Sequence, residues 1–171
     1  MATNNSVNTY ITPTSGQILA PGQCMFSARL SANTATNVTG DGTKYQVICD
    51  TVIFDQSSNY NNSTGVFTAP VTGKYLLIWN VGIFNLLSTH TVQISYISTT
   101  ARNYVLYNQA FSANPFSQAS WPGSAIVTMA ATDTAIFKIY VAGATKTVGV
   151  TGGTVFAAGD AVTFCCGYLL D

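Results

Sequence analysis

The segment GKYLLIWNVGIF, from Gly73 to Phe84, is apolar on both of the faces that a β-strand would give it. Asn80, Gly82 and Asn85 interrupt it, so it is too short for a bilayer core, which needs about 20 apolar residues. As a strand, it points two apolar sets in opposite directions: Tyr75, Leu77, Trp79, Val81 and Ile83 one way, and Leu76, Ile78 and Phe84 the other. We therefore predict a strand that is covered on both sides.

The composition indicates one all-β domain. The chain has 171 residues, which is the length of a single domain, and it is rich in Thr, Val, Ile, Tyr and Phe but has no Glu. Charged residues make up only 7%, against about 25% in an ordinary soluble domain. The net charge is zero, whereas a protein that binds nucleic acid or an anionic membrane usually has an excess of basic residues. We predict neither nucleic acid nor membrane as a partner.

Two later segments, HTVQISYIS and TAIFKIYVAG, alternate between apolar and polar side chains, which is typical of a sheet with one solvated face. Their apolar sets are Val92, Ile94 and Tyr96, and Phe137, Ile139 and Val141; the polar sets opposite are Thr91, Gln93 and Ser95, and Lys138. A strand that is apolar on both faces needs a second cover, and the sequence offers no helix to supply it. We therefore expect an obligate homo-oligomer whose interface includes residues 74–84 and 161–170.

The chain divides into two parts. Residues 1–24 are rich in Thr, Asn, Gly and Pro without periodicity, which predicts an extended N-terminal arm or one ordered on contact, and residues 25–171 form the packed domain. The opening MATNNSVNTY has neither the basic nor the apolar region of a signal peptide, so we expect synthesis in a host cytoplasm, with release by lysis possible.

The four cysteines, Cys24, Cys49, Cys165 and Cys166, are predicted to be small buried apolar residues. The alternative is a disulfide from Cys24 or Cys49 to one of the C-terminal pair. The adjacent Cys165 and Cys166 point to opposite faces of a strand, so they cannot chelate a metal together.

A spaced set of residues between Cys49 and Trp79 follows a known pattern: Asp55, Tyr60, Phe67, Gly73 and Tyr75 fall in register, and Trp79 gives the final aromatic. This pattern resembles the signature of the globular heads of the complement C1q family, related to the tumour necrosis factor fold. Cys49 and Leu77 stand where that family has Phe. The chain end CCGYLL and the segment FSARLS near residue 26 are similar to the family's closing and opening strands.

The resemblance implies a ten-stranded antiparallel jelly-roll sandwich that assembles as a tight homotrimer. The two segments that are apolar on both faces supply six residues predicted to lie in the trimer interface or core: Tyr75, Leu77, Trp79, Phe164, Tyr168 and Leu170. Because no Gly-X-Y stalk is seen, the chain looks similar to the versions carried by bacteriophages and some bacteria. The aspartates at 41, 55, 133 and 160 are far apart in sequence, so we predict no metal and no cofactor.

Catalysis receives little support. His90 is the only histidine, and we expect it to be a solvated turn residue at the entry to a strand rather than a general base. The glycine-rich stretches TGDGTK and VTGGTV lack the GK[ST] that binds phosphate, so they are turns. We predict that the chain is not an enzyme.

One segment is a candidate for ligand binding. The stretch NQAFSANPFSQASWPG, residues 108–123, is predicted to be a polar loop that presents aromatic rings. Its candidate contacts for a sugar or a protein partner are Phe111, Asn114, Phe116 and Trp121. The alternative is that the aromatics plug the loop onto the sandwich or onto the trimer seam.

Two functional hypotheses follow. The first is a structural virion protein: a trimeric decoration or cement knob that binds the major capsid protein of a bacteriophage, lies on the virion surface, and lays its arm (Ala2 to Gln23) along the shell. It rests on the short N-terminal sequence, which leaves too little chain for a fibre stalk. The second is a receptor-binding or glycan-binding knob of a phage fibre or of an extracellular bacterial surface protein.

Overall fold

The computed structural model describes residues 10–11, 18–19, 23–32, 35–153 and 161–170. These residues contain fifteen strands and no helix. The strands are β1 (Tyr10–Ile11), β2 (Ile18–Leu19), β3 (Met25–Arg29), β4 (Ala35–Thr39), β5 (Lys44–Gln46), β6 (Thr51–Gln56), β7 (Tyr60–Asn61), β8 (Val66–Thr68), β9 (Gly73–Phe84), β10 (Val92–Thr99), β11 (Asn103–Ala110), β12 (Gln118–Met129), β13 (Thr134–Ala142), β14 (Val148–Thr151) and β15 (Phe164–Leu169).

The strands form two antiparallel sheets that pack face to face. The six-stranded sheet has the order β11-β10-β13-β8-β7, with β5 also paired to β13. The seven-stranded sheet has the order β4-β14-β9-β15-β3-β6, with β12 also paired to β9. This arrangement confirms the predicted all-β sandwich. The arm predicted over residues 1–24 lies mostly outside the described residues, and within that range β1 pairs with β2.

Strand β9 is the centre of the seven-stranded sheet. It pairs with β12 along its whole length on one side, and with β15 and then β14 on the other. The face predicted to contain Tyr75, Leu77, Trp79, Val81 and Ile83 is fully buried against the other sheet. The residues of the opposite face are half-buried. The prediction of two apolar faces is therefore confirmed, and one of them looks away from the sandwich.

Aromatic rings fill the space between the sheets. Phe26 stacks between Tyr60 and Phe67, with ring centroids 5.0 and 4.9 Å apart. Trp79 of one sheet stacks on Phe137 of the other at 5.3 Å. Each of these side chains is buried, and burying one large apolar side chain contributes about 1.5–3 kcal/mol. The rings therefore fix how the two sheets sit on each other.

In strand β10 the polar face is buried and the apolar face looks outward, which is the reverse of the orientation that its pattern indicates. Gln93 and Ser95 are buried in the core, whereas Val92 and Ile94 lie half-buried on the outside. The reason is register: Ser95 lies opposite Ile139 in the ladder with β13, so the polar set of β10 shares the inward face of its neighbour. The side-chain polar atoms of Gln93 and Ser95 have no hydrogen-bond partner among the described residues.

The cysteines behave as predicted for small apolar residues, apart from Cys166. Cys24, Cys49 and Cys165 are buried free thiols, and Cys166 is half-buried. None of the four takes part in a disulfide.

Candidate functional site

The residues of the sequence signature build the core rather than a binding surface. The Asp55 carboxylate accepts hydrogen bonds from the backbone N–H groups of Asn59 and Tyr60, at 3.0 and 2.9 Å. The hydroxyl of Tyr60 then donates to the carbonyl of Cys49 at 3.2 Å. Burial raises the pKa of Tyr60, so this hydroxyl remains a donor. The spacing of the signature residues therefore follows from the turn before β7, which these contacts hold in place. It does not require a ligand.

The first candidate surface is the outward face of the seven-stranded sheet, which we call the apolar face. It runs across β12, β9, β15, β3 and β6, where cross-strand partners present apolar side chains in neighbouring rows. These side chains are Met25, Phe54, Leu76, Ile78, Ile126, Phe164 and Tyr168. Ile126 is 60% exposed, and Phe54 and Tyr168 are also exposed. Arg29, opposite Phe164, and Lys74, opposite Thr128, lie on the same side of the sheet, so this surface is mainly but not wholly apolar. A mainly apolar surface of this kind is suited to contact with another protein.

A hollow of about 390 Å³ lies in the apolar face. Its lining consists of Ile78, Trp79, Asn80, Pro122, Gly123, Ser124 and Phe164. The amide of Asn80 is the main polar group there, and it is already engaged. Its NH₂ group donates to the carbonyl of Val162, and its oxygen accepts from the hydroxyl of Ser120 at 3.1 Å. The hollow is therefore better suited to an apolar side chain than to a polar ligand.

The six residues assigned to trimer interface or core divide between the two. Tyr75, Leu77 and Trp79 are fully buried inside the sandwich, so they support the sheet from within and do not reach its outward face. Phe164 and Tyr168 lie on the apolar face, and Leu170 is exposed just beyond β15. The list Tyr75, Leu77, Trp79, Phe164, Tyr168 and Leu170 thus mixes core with candidate interface.

The predicted aromatic loop is shorter than expected. β11 extends to Ala110 and β12 begins at Gln118, so the loop covers residues 111–117. Phe116 is 54% exposed, and the half-buried Phe111 packs edge-to-face against it at 6.4 Å. Asn114 is buried, and its NH₂ group donates to the carbonyls of Leu87 and Phe116 at 3.3 and 2.7 Å. Asn114 therefore holds the loop in shape, and Phe116 is the side chain that the loop presents.

Trp121 does not lie on a loop, and the prediction that it is displayed there is wrong. It belongs to β12, is only 2% exposed, and stacks on Tyr107 with ring centroids 5.0 Å apart. The following Pro122 and Gly123 read as a turn in the sequence. β12 pairs with β9 alone among the described strands, and a strand paired on one side tolerates proline. At Gly123, a Cβ atom would lie 2.6 Å from that of Leu106, so glycine permits the sheets to approach closely.

His90 is buried, and the prediction of a solvated turn residue is wrong. Its Nδ1 accepts the backbone N–H of Leu87 at 2.9 Å, so the ring proton lies on Nε2, which donates to the carbonyl of Thr145 at 3.0 Å. Both ring nitrogens are thus used to join two loops. His90 is a structural residue and offers no base to a substrate.

A second candidate surface, missed by the sequence reasoning, lies on the outward face of the six-stranded sheet. It is a groove of about 420 Å³, which we call the tyrosine groove. Residues from β5, β10, β11 and β13 line it: Lys44, Val92, Ile94, Tyr96, Asn103, Val105 and Tyr140. The sequence pattern of β10 held a signal, because its apolar set is the part that faces outward, but only the register with β13 reveals this.

The part of the chain that the structure describes contains no cluster of metal ligands and no membrane-spanning helix. There, no three His, Cys, Asp or Glu residues come together in a way that could hold a metal ion. No helix in that part has the length and apolar character to cross a bilayer. The absence of metal and cofactor remains a prediction.

Comparisons with known proteins bear on the fold. No curated protein matches the sequence. Among solved structures, the globular domain of a zebrafish complement 1qA protein has a TM-score of 0.56 at 15% identity, covering 86% of this chain and 98% of that one. Murine APRIL at pH 8.5 has a TM-score of 0.52 at 14% identity, covering 86% and 99%. Both likenesses concern the fold alone, and they confirm the predicted jelly roll.

The family model described as the C1q domain matches residues 26–170, which is most of the chain and runs from the second residue of β3 to beyond the end of β15. The chain therefore belongs to the C1q domain family.

Proposed function

We propose that this protein is a homotrimeric binding head that acts by contact rather than by catalysis, and that it serves as a structural knob on a bacteriophage capsid. The observation that supports the trimer is the apolar face. A monomeric soluble protein rarely exposes a contiguous apolar patch of more than a few hundred Å², and this face crosses five strands, which is roughly 20 Å.

The family resemblance suggests three subunits, and the apolar face is the surface through which they would contact one another. Three copies related by a three-fold axis would each bury one apolar face, closing the ring without free edges. In such an arrangement Ile126 and Tyr168 lose their exposure to water, and the hollow beside Ile78 and Phe164 receives apolar atoms from a neighbour. Each fully buried aliphatic side chain contributes about 1.5–3 kcal/mol.

A matched pair of substitutions tests the trimer. Ile126 is 60% exposed on the apolar face, and Val105 is 58% exposed on the opposite sheet. Ile126→Lys places a charge in the interface and is expected to yield monomers, whereas Val105→Lys is expected to leave the trimer intact. Light scattering of both purified variants and of the unaltered protein measures the subunit number. An unaltered protein that is monomeric at micromolar concentration would remove the basis for the proposal.

The second part of the proposal is that the trimer attaches to a bacteriophage capsid. It is supported by the low charge and by the resemblance to phage-borne versions of the family. The purified trimer is expected to co-sediment with capsids that lack it and to raise their melting temperature, since a ligand that binds only the assembled state stabilises that state. Removal of residues 1–23 is expected to weaken this binding. A trimer that does not bind capsids overturns the capsid role but leaves the trimer standing.

A second candidate function is a receptor-binding knob, and the exposed ring of Phe116 favours it. An apolar aromatic side chain on a loop is a common anchor for a partner. Phe116→Ala is expected to abolish adhesion of the trimer to host cells without changing the subunit number. Unchanged adhesion of this variant, with intact trimers, would exclude the loop as the receptor contact.

A further inference from the structure

The tyrosine groove combines apolar side chains with polar groups that the protein leaves unused. Val92, Ile94 and Val105 form its apolar floor and wall. Their outward position follows from the reversed faces of β10, which place Gln93 and Ser95 in the core instead. A strand that buries amide and hydroxyl groups without partners while showing aliphatic side chains to the outside is locally unfavourable. Contact with a ligand would offset part of that cost.

Four hydrogen-bonding groups surround this floor. They are the hydroxyls of Tyr96 and Tyr140, the amide of Asn103 and the ammonium group of Lys44. None of these side-chain groups has a hydrogen-bond partner among the described residues. Burial raises the pKa of Tyr96, so its hydroxyl stays protonated and can donate. The groove therefore offers several donors spread around an apolar surface rather than one polar point.

The charge of the groove is positive. Lys44 is a lining residue, and Lys138 lies beside Tyr96 in the ladder between β10 and β13, alternating with the buried Phe137. No acidic side chain is part of the lining. The carboxylate of Asp41, in the turn before β5, accepts the N–H of Thr43 at 3.0 Å. The uncompensated cations favour an anionic ligand.

We propose that the tyrosine groove binds an acidic sugar unit, that is, a pyranose ring that carries a carboxylate. Its volume of about 420 Å³ is within the range of about 300–1,000 Å³ that is usual for small-molecule sites. The carboxylate of the sugar pairs with Lys44, and its hydroxyls bond to Tyr96, Tyr140 and Asn103. The C–H groups of the pyranose ring pack against Val92 and Val105. A fatty acid would satisfy Lys44 but would leave the phenol and amide groups without partners.

This site goes beyond the trimeric head proposed above, because it lies on the opposite sheet from the apolar face. The test uses the full chain, with its subunit number measured in every sample, so that loss of the trimer and loss of sugar binding are separate results. Galacturonic acid and galactose are the probes, since they differ only at C6, a carboxylate in one and a hydroxymethyl group in the other. Shifts of tyrosine ring signals in NMR titrations report binding.

Galacturonic acid is expected to shift the Tyr96 and Tyr140 signals with a Kd about two- to fivefold lower than that of galactose, as for one exposed charge pair. Lys44→Gln is expected to erase this preference, and Tyr140→Phe to weaken both sugars. Lys146→Gln, which changes an exposed lysine outside the lining, and Phe116→Ala are the controls and are expected to change neither.

Four results would overturn the assignment. The first three are the absence of shifts with either sugar, equal affinity for the two, and loss of binding in Phe116→Ala, which would move the site to the loop. A Lys146→Gln variant that loses the acidic preference as fully as Lys44→Gln would also overturn it, because the effect would then come from net charge and not from the groove.

Discussion

The indole of Trp121 stacks on the ring of Tyr107, with the two planes 10° apart. Trp121 belongs to β12 and Tyr107 to β11, so the stack joins the two sheets at one side of the sandwich. The two strands that carry these rings are each paired on one side only among the described strands. The contact therefore links two edge strands that belong to different sheets.

Trp121→Ala is expected to lower the free energy of unfolding by about 3–5 kcal/mol, as for other buried tryptophans. Phe116→Ala, at an exposed ring, is expected to change it by less than about 1 kcal/mol. Chemical denaturation of both variants measures the difference. Similar small losses in the two variants would mean that the stack does not join the sheets.

Asp55→Ala is expected to destabilise the domain by about 1–3 kcal/mol, because the N–H groups of Asn59 and Tyr60 lose their acceptor. Asp55→Asn keeps one acceptor oxygen and is expected to cost less. Thermal unfolding of both variants checks the order. Equal losses would contradict this order and would show that both carboxylate oxygens are needed as acceptors, because the NH₂ group of Asn faces one of the two N–H donors.

Gly40 and Gly42 both have positive φ, at 131° and 89°, but only the first is crowded. A Cβ atom at Gly40 would lie 2.2 Å from the carbonyl oxygen of Thr145 and 2.7 Å from Nε2 of His90, whereas at Gly42 the nearest atom is 3.5 Å away. Gly42→Ala is expected to cost about 1–2 kcal/mol from the backbone alone. Gly40→Ala is expected to cost clearly more, since it also breaks the hydrogen bond between His90 and Thr145. Equal losses would show that the His90 contact adds nothing.

Stability is expected to fall as the pH rises above 9. Burial raises the pKa of Cys24 from 9.0 to about 11 and also raises the pKa of Cys165 and Tyr45. Below pH 9 the thiol of Cys24 is neutral in both states, so its contribution is complete; between pH 9 and 11 only the unfolded chain ionises, and the contribution is lost. Cys24→Ala is expected to make the fall between these pH values shallower. An unchanged slope would show that Cys24 ionises equally in both states.

Gln93→Met is expected to stabilise the domain by about 1–3 kcal/mol, because it removes a buried amide that has no partner among the described residues while keeping a similar volume. Gln109→Met, on the exposed neighbour opposite in β11, is the control and is expected to have little effect. Equilibrium unfolding measures both. A loss of stability in Gln93→Met would mean that the amide makes hydrogen bonds to water in the core.

The sequence predicts that β9 is a strand covered on both sides, because its pattern is apolar on both faces. For the same reason it does not tell which face packs against the other sheet, and the inward position of the set from Tyr75 to Ile83 is known only from the structure. Strand β10 alternates cleanly, yet its register is set by pairing with β13, and this pairing turns Gln93 inward. Alternation identifies the two faces of a strand but not which of them is buried.

The candidate site was less predictable for a related reason. The letters Trp-Pro-Gly indicate a turn locally, but Pro122 lies in a strand that needs partners on one side only, and Gly123 makes room for Leu106. His90 stands among residues that indicate a loop, and its burial depends on the distant Thr145. The tyrosine groove unites side chains from four strands. Contacts between residues so far apart in sequence leave no local pattern.

The apolar face and the tyrosine groove lie on opposite sheets. A ring closed through the first would therefore display three copies of the second around its circumference, all turned outward. Several weak sites that bind at the same time give a much higher avidity than one site, provided that the ligands are spaced to match the sites. Such a trimer would bind a free monosaccharide only weakly but a dense polysaccharide coat tightly.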